Sequence, residues 1–377
     1  MNKCFGVFTD PLKSTSGQRF FNLLANKLKA VEQPYSSNPS VLLFNVSTPI
    51  GKILMAKLKQ QKVVLRIDSL YFDKLSPEFL AKFPWVVRKY LNIGLVFPAL
   101  HNFFAFCANF LSENYAAFIR IILVDHVIYQ SVFSQQIHSH FFRRKPYSII
   151  VNGAEYMGSK IPKETEPDGE KIRVVTLYDE WRPSKRIHEL IRFIKWANEE
   201  AKVPIELTII GYSGKTSICF CKDDLFTLEN ESYIKSIPKF KIFTDEMKSV
   251  LLTSDAYLTF SFRDACPNTV VESMAYGLPV VAVASGGLPD IVGDAGVLIP
   301  GNDFENGFYC AHRYECDFPE VKYNDILEGV KKIIKNKEYY RGLVAKRFED
   351  ELSIEKVSAK YAAVLQILVD KIYVTEK

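Results

Sequence analysis

Two carboxylates lie eight positions apart in a segment that reads as a strand end, a loop and a helix start. The segment, residues 261–281, has the sequence SFRDACPNTVVESMAYGLPVV. Asp264 falls in the loop, and Glu272 falls inside the helix that Asn268 or Thr269 begins. The backbone N–H groups and the dipole of a helix start favour a bound diphosphate. Carboxylates on either side accept hydrogen bonds from sugar hydroxyls, so the spacing predicts a site for a nucleotide sugar, although an Asn before a helix is most often only a cap.

Short apolar runs that alternate with helical patterns must position this segment. They predict two doubly wound α/β domains with parallel sheets, divided near residues 152–171. Helical patterns continue from residue 324 to about 373. Ligands of such folds bind at the carboxyl ends of the strands, so the interdomain cleft is the expected site. The strand-like runs are residues 4–8, 41–46, 63–67, 121–124 and 148–151 in the first half, and 172–176, 205–210, 256–260, 279–283 and 297–299 in the second.

The carboxylate segment resembles the E-x7-E signature of retaining glycosyltransferases of family 4, which have the GT-B fold. Residues 272–281 (ESMAYGLPVV) resemble the run that follows in that family, and residues 286–290 (GGLPD) resemble its G-G-x-x-E. The resemblance extends to an interdomain V-x-N-G at residues 149–153 and a basic phosphate motif at residues 181–186. It lies mostly in the second half of the chain.

This resemblance implies transfer of a sugar from a nucleotide-diphosphate donor, with retention at the anomeric carbon. No metal, other cofactor or dedicated base is expected, because Lys185, Arg182 and the helix N-terminus would stabilise the leaving diphosphate. Glu272 would bind the ribose and Asp264 the donor sugar. The donor loop between them supplies the further expected contacts Cys266, Pro267, Asn268 and Thr269.

Two positions depart from the family pattern. Asp264 stands where the family has Glu, which leaves the preferred sugar open. The family's G-R before the phosphate-binding lysine is absent, since Tyr178-Asp-Glu180 stands there, so Arg182 is a substitute by proximity only.

The first half carries weaker signals at the same expected cleft. Residues 14–18 resemble the family's glycine loop with a single glycine, so Gly17 is predicted to face the donor, or is simply a turn residue. Arg66 and Asp68 end a strand and are candidate acceptor contacts, with a strand-end cap as the alternative for Asp68. His126, in a segment similar to the family's A-D-x-V-I-x-x-S, is a further acceptor candidate.

Charge divides the 377 residues unevenly. Residues 1–150 hold 18 Lys and Arg against 7 Asp and Glu, whereas the whole chain has a net charge of +5. A basic half suits a phosphorylated acceptor or an acidic membrane surface, with an ordinary solvated surface as the alternative. A nucleic-acid partner is not expected, because no zinc-finger spacing, RNA-binding signature or long basic run is present.

Residues 91–112 contain no formally charged side chain. Apolar residues recur there at helical spacing with polar residues opposite, which predicts an amphipathic helix in the core; a membrane-dipping segment and a true span remain alternatives. The seven cysteines are odd in number and scattered, and no leader precedes the first strand-like run, so reduced thiols in the cytoplasm are expected.

The sequence as a whole predicts a GT-B enzyme with an acceptor-binding domain at residues 1–152 and a donor-binding domain at residues 153–357. The helix at residues 358–377 is expected to cross back to the first domain. The predicted reaction moves a hexose-type sugar from a UDP- or GDP-sugar to a glycan or lipid-linked acceptor in surface polysaccharide assembly, such as that of lipopolysaccharide, at the inner face of the cytoplasmic membrane. A nucleotide-sugar epimerase or hydrolase and a non-catalytic sugar-nucleotide or glycan-binding protein remain alternatives.

Overall fold

The computed structural model describes most of the chain, and everything below concerns those residues. They are residues 2–9, 16–31, 39–68, 85, 89, 107, 110–142, 145–156, 171–178, 181–212, 216–217, 219–238, 245–301, 303 and 318–375.

A five-stranded parallel sheet forms the first half, with its strands in sequential order β1-β2-β3-β4-β5. Most of its strands are buried on both faces, which explains why they are continuous apolar runs in which apolar and polar residues do not alternate. Its strands are β1 (Asn2–Val7), β2 (Pro39–Asn45), β3 (Lys62–Ile67), β4 (His126–Tyr129) and β5 (Tyr147–Ile149).

Helices cover both faces of this sheet. Helix α1 (Ser16–Val31) packs on the face that contains Val41, Leu43 and Val64. The other face is covered by α2 (Ile50–Leu58), α3 (Tyr115–Leu123), which a π-helical turn (Phe110–Asn114) precedes, and α4 (Val132–Phe142). The β1-α1-β2 and β2-α2-β3 connections move in the same direction across the sheet, but α1 and α2 lie on opposite faces of it. The two connections therefore have opposite hands, although such crossovers are nearly always right-handed.

The second half holds a six-stranded parallel sheet in the order β11-β10-β9-β6-β7-β8. The strand order reverses between β6 and β9, so the loops that leave these two strands open a crevice at the carboxyl edge of the sheet. The strands are β6 (Ile172–Leu177), β7 (Ile205–Tyr212), β8 (Ile234–Pro238), β9 (Ala256–Thr259), β10 (Val280–Val283) and β11 (Gly296–Ile299).

Helices pack on both faces of the second sheet as well, in two clusters of buried residues. They are α5 (Ile187–Glu199), α6 (Lys222–Asn230), α7 (Asp245–Thr253), α8 (Asn268–Ala275), α9 (Leu288–Val292), α10 (Tyr323–Lys335) and α11 (Lys337–Arg347).

The chain crosses between the two halves twice, at neighbouring points. Ala154 N donates to the Leu352 carbonyl oxygen at 3.0 Å, and Ile354 N donates to the Ala154 carbonyl oxygen at 2.9 Å. The long helix α12 (Ile354–Thr375) then packs against α1, β1 and β2 of the first sheet. Tyr361 and Leu365 are fully buried there.

Two expectations from the sequence need correction, and one strand was missed. Residues 121–124, predicted as a strand, belong to the end of α3 and the residue after it, and the strand begins at His126. Strand β8 was not predicted. Cys219 is disulfide-bonded, contrary to the expectation of reduced thiols, while Cys4, Cys107, Cys221 and Cys266 carry free thiols.

The predicted helix at residues 91–112 lies mostly outside the described residues. Within the part of the chain that the structure describes, no helix is both long enough and apolar enough to cross a membrane.

Candidate functional site

The loops that follow β6 and β9 meet at the crevice of the second sheet. Lys185 ends a short 3-10 turn (Pro183–Lys185), and the backbone at Arg186 is left-handed with φ of 53° before α5 begins. Phe262 N donates to the Ser184 carbonyl oxygen at 2.8 Å, which ties the two loops together. As a result the Lys185 ammonium forms an ion pair with the Asp264 carboxylate, with both side chains about one quarter exposed.

Two glycines, Gly286 and Gly287, pack against the backbone of the Asp264 loop. Gly286 has φ of 60°, and a Cβ built on it would lie 2.2 Å from the Asp264 carbonyl oxygen. Gly287 N donates to that same oxygen at 2.7 Å, and a Cβ on Gly287 would lie 1.9 Å from the Ala265 carbonyl oxygen. Only glycine fits at both positions, so the G-G pair fixes the backbone that presents Asp264.

Helix α8 starts at Asn268 at the mouth of this crevice. The first N–H groups of a helix have no carbonyl partner within it, and they carry the positive end of the dipole. Below the helix start, the buried Tyr257 hydroxyl donates to Thr269 Oγ1 at 3.1 Å. Glu272 is half-buried one turn into the helix, and after desolvation its charge helps to raise the pKa of Tyr276 to about 12.

Cys266 is buried, and desolvation raises the pKa of its thiol to about 12. The thiol is therefore neutral at physiological pH, which argues against nucleophilic catalysis by Cys266. Its Sγ accepts a hydrogen bond from Asn152 N at 3.3 Å. Cys266 thus joins the donor loop to the segment where the chain crosses between the two sheets.

Asn152 connects the two halves of the molecule through its side chain. Its Nδ2 donates to Asn268 Oδ1 at 2.7 Å, at the start of α8, and to Gln130 Oε1 at 3.1 Å. Its Oδ1 accepts a hydrogen bond from Arg66 Nη2 at 2.8 Å. One buried amide therefore contacts groups that come from β3, from the end of β4 and from α8.

The Arg66 side chain is fully buried, although it carries a charge. Its Nη1 donates to Asn45 Oδ1 at 3.0 Å and contacts Asp68 Oδ1 at 3.3 Å, and its guanidinium lies 4.8 Å from the centre of the Phe20 ring. The Asp68 carboxylate, which is 37% exposed, also accepts from Gln130 Nε2. Asp68 thus lies partly exposed at the carboxyl end of β3, while Arg66 is buried.

His126 lies elsewhere. It begins β4 and pairs with Val64, so it lies about 10 Å from the carboxyl edge of the sheet. Its Nε2 is 3.0 Å from Ser148 Oγ, and burial lowers its pKa. The structure does not bring His126 together with Asp68, because the strand starts five residues later than predicted.

Gly17 and Arg182 occupy less constrained positions. Gly17 lies in the first turn of α1, and a Cβ added to it would have no atom within 4 Å. Arg182 is exposed directly before the turn that carries Lys185.

Three polar residues of the first half were missed. Gln18, Asn45 and Gln130 are buried, and Asn45 Nδ2 donates to Gln18 Oε1 at 3.2 Å. Asn45 ends β2 and Gln130 follows β4, so polar residues at strand ends were the signal that could have found them.

A second contact between the halves lies beside this network. Val132 N, at the start of α4, donates to Asp290 Oδ2 at 2.7 Å, and desolvation raises the pKa of Asp290. Asp290 belongs to the GGLPD run, whose Gly287 also approaches Ser131. No group of three or more His, Cys, Asp and Glu side chains among the described residues is close enough to hold a metal ion.

The residues of the loop after β9 lie in a range that matches one family model. Residues 159–311 match the family model "Glycosyl transferases group 1". The matched range includes Lys185, Asp264 and Glu272. It covers the crevice of the second sheet and none of the first. No curated protein matches the sequence.

Solved structures match almost the whole chain at low identity. The pneumococcal O-GlcNAc transferase GtfA, in complex with UDP and GlcNAc, aligns with a TM-score of 0.54 and 13% identity over 93% of this chain and 60% of its own. TarM aligns with a TM-score of 0.55 and 14% identity over 91% of this chain and 58% of its own. The chain thus spans less than two thirds of these two proteins.

WaaG, a glycosyltransferase involved in lipopolysaccharide biosynthesis, aligns with a TM-score of 0.51 and 11% identity over 96% of this chain and 99% of its own. Identities this low show the fold alone. The predicted α/β architecture, with two parallel-sheet domains as in GT-B glycosyltransferases, is thereby confirmed.

Proposed function

We propose that the protein is a glycosyltransferase that takes a hexose-type sugar from a nucleotide-diphosphate donor. The observation that carries this proposal is the Lys185–Asp264 ion pair beside the start of α8, at the crevice where the strand order reverses. A cation, a helix N-terminus and a carboxylate within one crevice suit a diphosphate that leaves a sugar. The match of residues 159–311 to "Glycosyl transferases group 1" supports the same chemistry.

In this proposal the residues around the start of α8 have the roles that the sequence predicted for them. Lys185 and Arg182 stabilise the negative charge of the leaving diphosphate, together with the first N–H groups of α8. Glu272 accepts hydrogen bonds from the ribose, and Asp264 contacts the donor sugar. No metal ion or other cofactor is included, and the reaction retains the anomeric configuration.

The acceptor is proposed to be a glycan or a lipid-linked glycan intermediate, bound at the first half with a contribution from Asp68. The donor is proposed to be a UDP- or GDP-sugar; GtfA was solved with UDP and GlcNAc. We further propose that the protein acts at the inner face of the cytoplasmic membrane in surface polysaccharide assembly, as WaaG is involved in lipopolysaccharide biosynthesis.

Incubation with UDP-, GDP-, ADP- and dTDP-sugars tests the proposal through release of nucleoside diphosphate. We expect release from one donor, and loss of that release in Lys185→Ala and Glu272→Ala. Lys331→Ala and Glu328→Ala, a surface ion pair on α10, are the matched controls. Release that persists with EDTA supports metal independence, and the anomeric configuration of the product tests retention.

The two alternatives give different outcomes. An epimerase or hydrolase would convert the donor fully without any acceptor, whereas a binding protein would show a nucleotide-dependent thermal shift without turnover. If no nucleotide sugar released nucleoside diphosphate and no nucleotide shifted the melting temperature, the assignment of the donor site would be refuted.

A further inference from the structure

Helices α2 and α3 are apolar on the side that faces away from the core. On α2, Leu54, Met55 and Leu58 are exposed, and Leu58 is 83% exposed. The buried side of the same helix consists of Ile53 and Ala56. Helix α2 is therefore apolar both inward and outward, and the described residues of its own domain cover only the inward side.

Helix α3 and the turn before it repeat this pattern. Leu111, Tyr115, Ile119 and Ile122 are exposed, and their spacing places them on one stripe, opposite the buried Ala117 and Ile121. Leu111 and Ile122 are 65% and 63% exposed.

The only charged residue of α3 is turned away from the stripe. Arg120 is half-buried, its Nε donates to the Thr48 carbonyl oxygen at 2.8 Å, and burial lowers its pKa. Helices α2 and α3 pack side by side, and their buried residues share one core beneath. Their outward stripes therefore form one apolar surface, here named the α2/α3 face, which consists of Leu54, Met55, Leu58, Leu111, Tyr115, Ile119 and Ile122.

The borders of the α2/α3 face are basic. Lys52 and Lys59 are exposed and flank the α2 stripe. At the end of α3, Lys145 Nζ donates to the carbonyl oxygens of Ile122 and Val124 at 2.9 and 2.6 Å.

Neither helix contains an Asp or Glu. The acids nearest to α3 in the sequence are Glu113, in the turn before the helix, and Asp125, after its end. Asp125 is largely buried; its carboxylate pairs with Lys57 at 2.8 Å, lies 3.8 Å from Lys62 and accepts from Val63 N at 2.8 Å. The negative charge of Asp125 is thus balanced by Lys57 and Lys62.

We infer that the α2/α3 face is a docking surface for an anionic lipid bilayer. Exposed Leu, Ile and Met side chains insert at the boundary between acyl chains and headgroups, a Tyr suits that boundary, and lysines bind acidic headgroups. Charge complementarity favours lipid over a second copy of this chain, because two copies of a basic border would repel. This inference deepens the membrane location proposed above and is independent of the chemistry in the crevice.

Sedimentation with vesicles of phosphatidylcholine, with and without phosphatidylglycerol, tests the inference on the full chain. We expect binding to the vesicles that contain phosphatidylglycerol, weakened by raised salt. The double variant Leu58→Ser, Ile122→Ser should bind roughly one hundred-fold more weakly, at about ten-fold for each buried side chain. The control Phe226→Ser, Ile367→Ser removes comparably exposed apolar side chains from α6 and α12 and should bind normally.

A second pair of variants tests the charge independently. Lys52→Glu with Lys59→Glu should weaken binding at least roughly 25-fold, at about five-fold for each lysine, while Lys331→Glu on α10 should not. All variants alter exposed side chains, and thermal unfolding confirms that they fold.

Equal binding by the apolar variant and its control would overturn the inference. So would a dimer in light scattering that Leu58→Ser, Ile122→Ser converts to monomer, since a second copy would then cover the face. Because vesicle binding is the readout, a failure here leaves the proposed sugar transfer untouched, and the reverse also holds.

Discussion

The two halves of the molecule are built on opposite electrostatic principles. The second half presents charge directly, since the Lys185–Asp264 pair lies partly exposed beside a helix start. The first half instead buries its charge, because the guanidinium of Arg66 is enclosed by Asn45 and Asn152. The second half therefore has a partly exposed charged pair, whereas the buried charge of the first half is linked through Asn152 to Asn268 at the start of α8. The difference predicts that replacing the exposed charged pair of the second half changes chemistry, while replacing the buried charge of the first half changes stability.

The largest expected effects concern the ion pair. Lys185→Met should lower kcat/KM about 1,000-fold and weaken binding of the nucleoside diphosphate, because the leaving charge loses its cation. Asp264→Asn should also lower kcat. This variant should nevertheless bind the nucleoside diphosphate at least as tightly as the unmodified protein, because Asp264 competes with the diphosphate for Lys185. Calorimetry with UDP or GDP measures both affinities. Equal losses of affinity in the two variants would contradict this competition.

The next effect tests the glycine support of the same loop. Gly286→Ala should lower the free energy of unfolding by about 3 to 4 kcal/mol, since a Cβ meets the Asp264 carbonyl oxygen and φ is 60°. Gly342→Ala, in α11 with open space around it, is the matched control and should raise stability by about 0.5 to 1 kcal/mol. Urea unfolding measures both changes. A neutral Gly286→Ala would show that the loop relaxes freely.

The glycine pair at residues 286–287 was found in the sequence by resemblance, whereas the first half was predicted less well. The apolar strands and the GLPVV run indicate the second sheet, so the fold class and the donor loop were predictable. Helix α3 was not, because the run IILV resembles a strand when a helix is apolar on both sides. The burial of Arg66 also escaped prediction, since its partners Asn45 and Asn152 are distant in sequence and only tertiary packing brings them together.

That buried guanidinium gives the third prediction. Arg66→Met should lower the free energy of unfolding by about 3 kcal/mol, because Asn45 and Asn152 lose a charged donor inside the protein. Lys248→Met, at an exposed ion pair on α7, should change it by less than about 0.5 kcal/mol. Thermal unfolding followed by circular dichroism compares the two. If Arg66→Met had the stability of the unmodified protein but lost activity, the contrast between the two halves would have to be reversed.

The smallest effect depends on pH. His138 is fully buried on α4, its Nδ1 donates to the Ser134 carbonyl oxygen at 2.6 Å, and desolvation lowers its pKa to about 4. The unfolded chain binds this proton near pH 6.5 and the folded chain does not, so stability falls as pH drops from 6.5 towards 4. The loss from His138 alone is about 2 kcal/mol at pH 5.

The Gln side chain of His138→Gln can still donate a hydrogen bond, but it does not titrate. The loss of stability between pH 7 and pH 5 should therefore be about 2 kcal/mol smaller in this variant. His188, whose pKa burial also lowers to about 4, continues to contribute in both proteins. An unchanged pH dependence in His138→Gln would mean that this imidazole is protonated in the folded state.

The return of α12 to the first sheet sets the order in which the molecule is completed during synthesis. The Lys27–Glu355 ion pair joins α1 to α12 across 328 positions of sequence. At ribosomal rates of about 5 to 20 residues per second, α1 waits roughly 15 to 65 seconds for this partner. During that time the apolar side of α1 that Tyr361 and Leu365 later cover remains open to chaperones and to aggregation. The half that is made first is therefore the half that matures last.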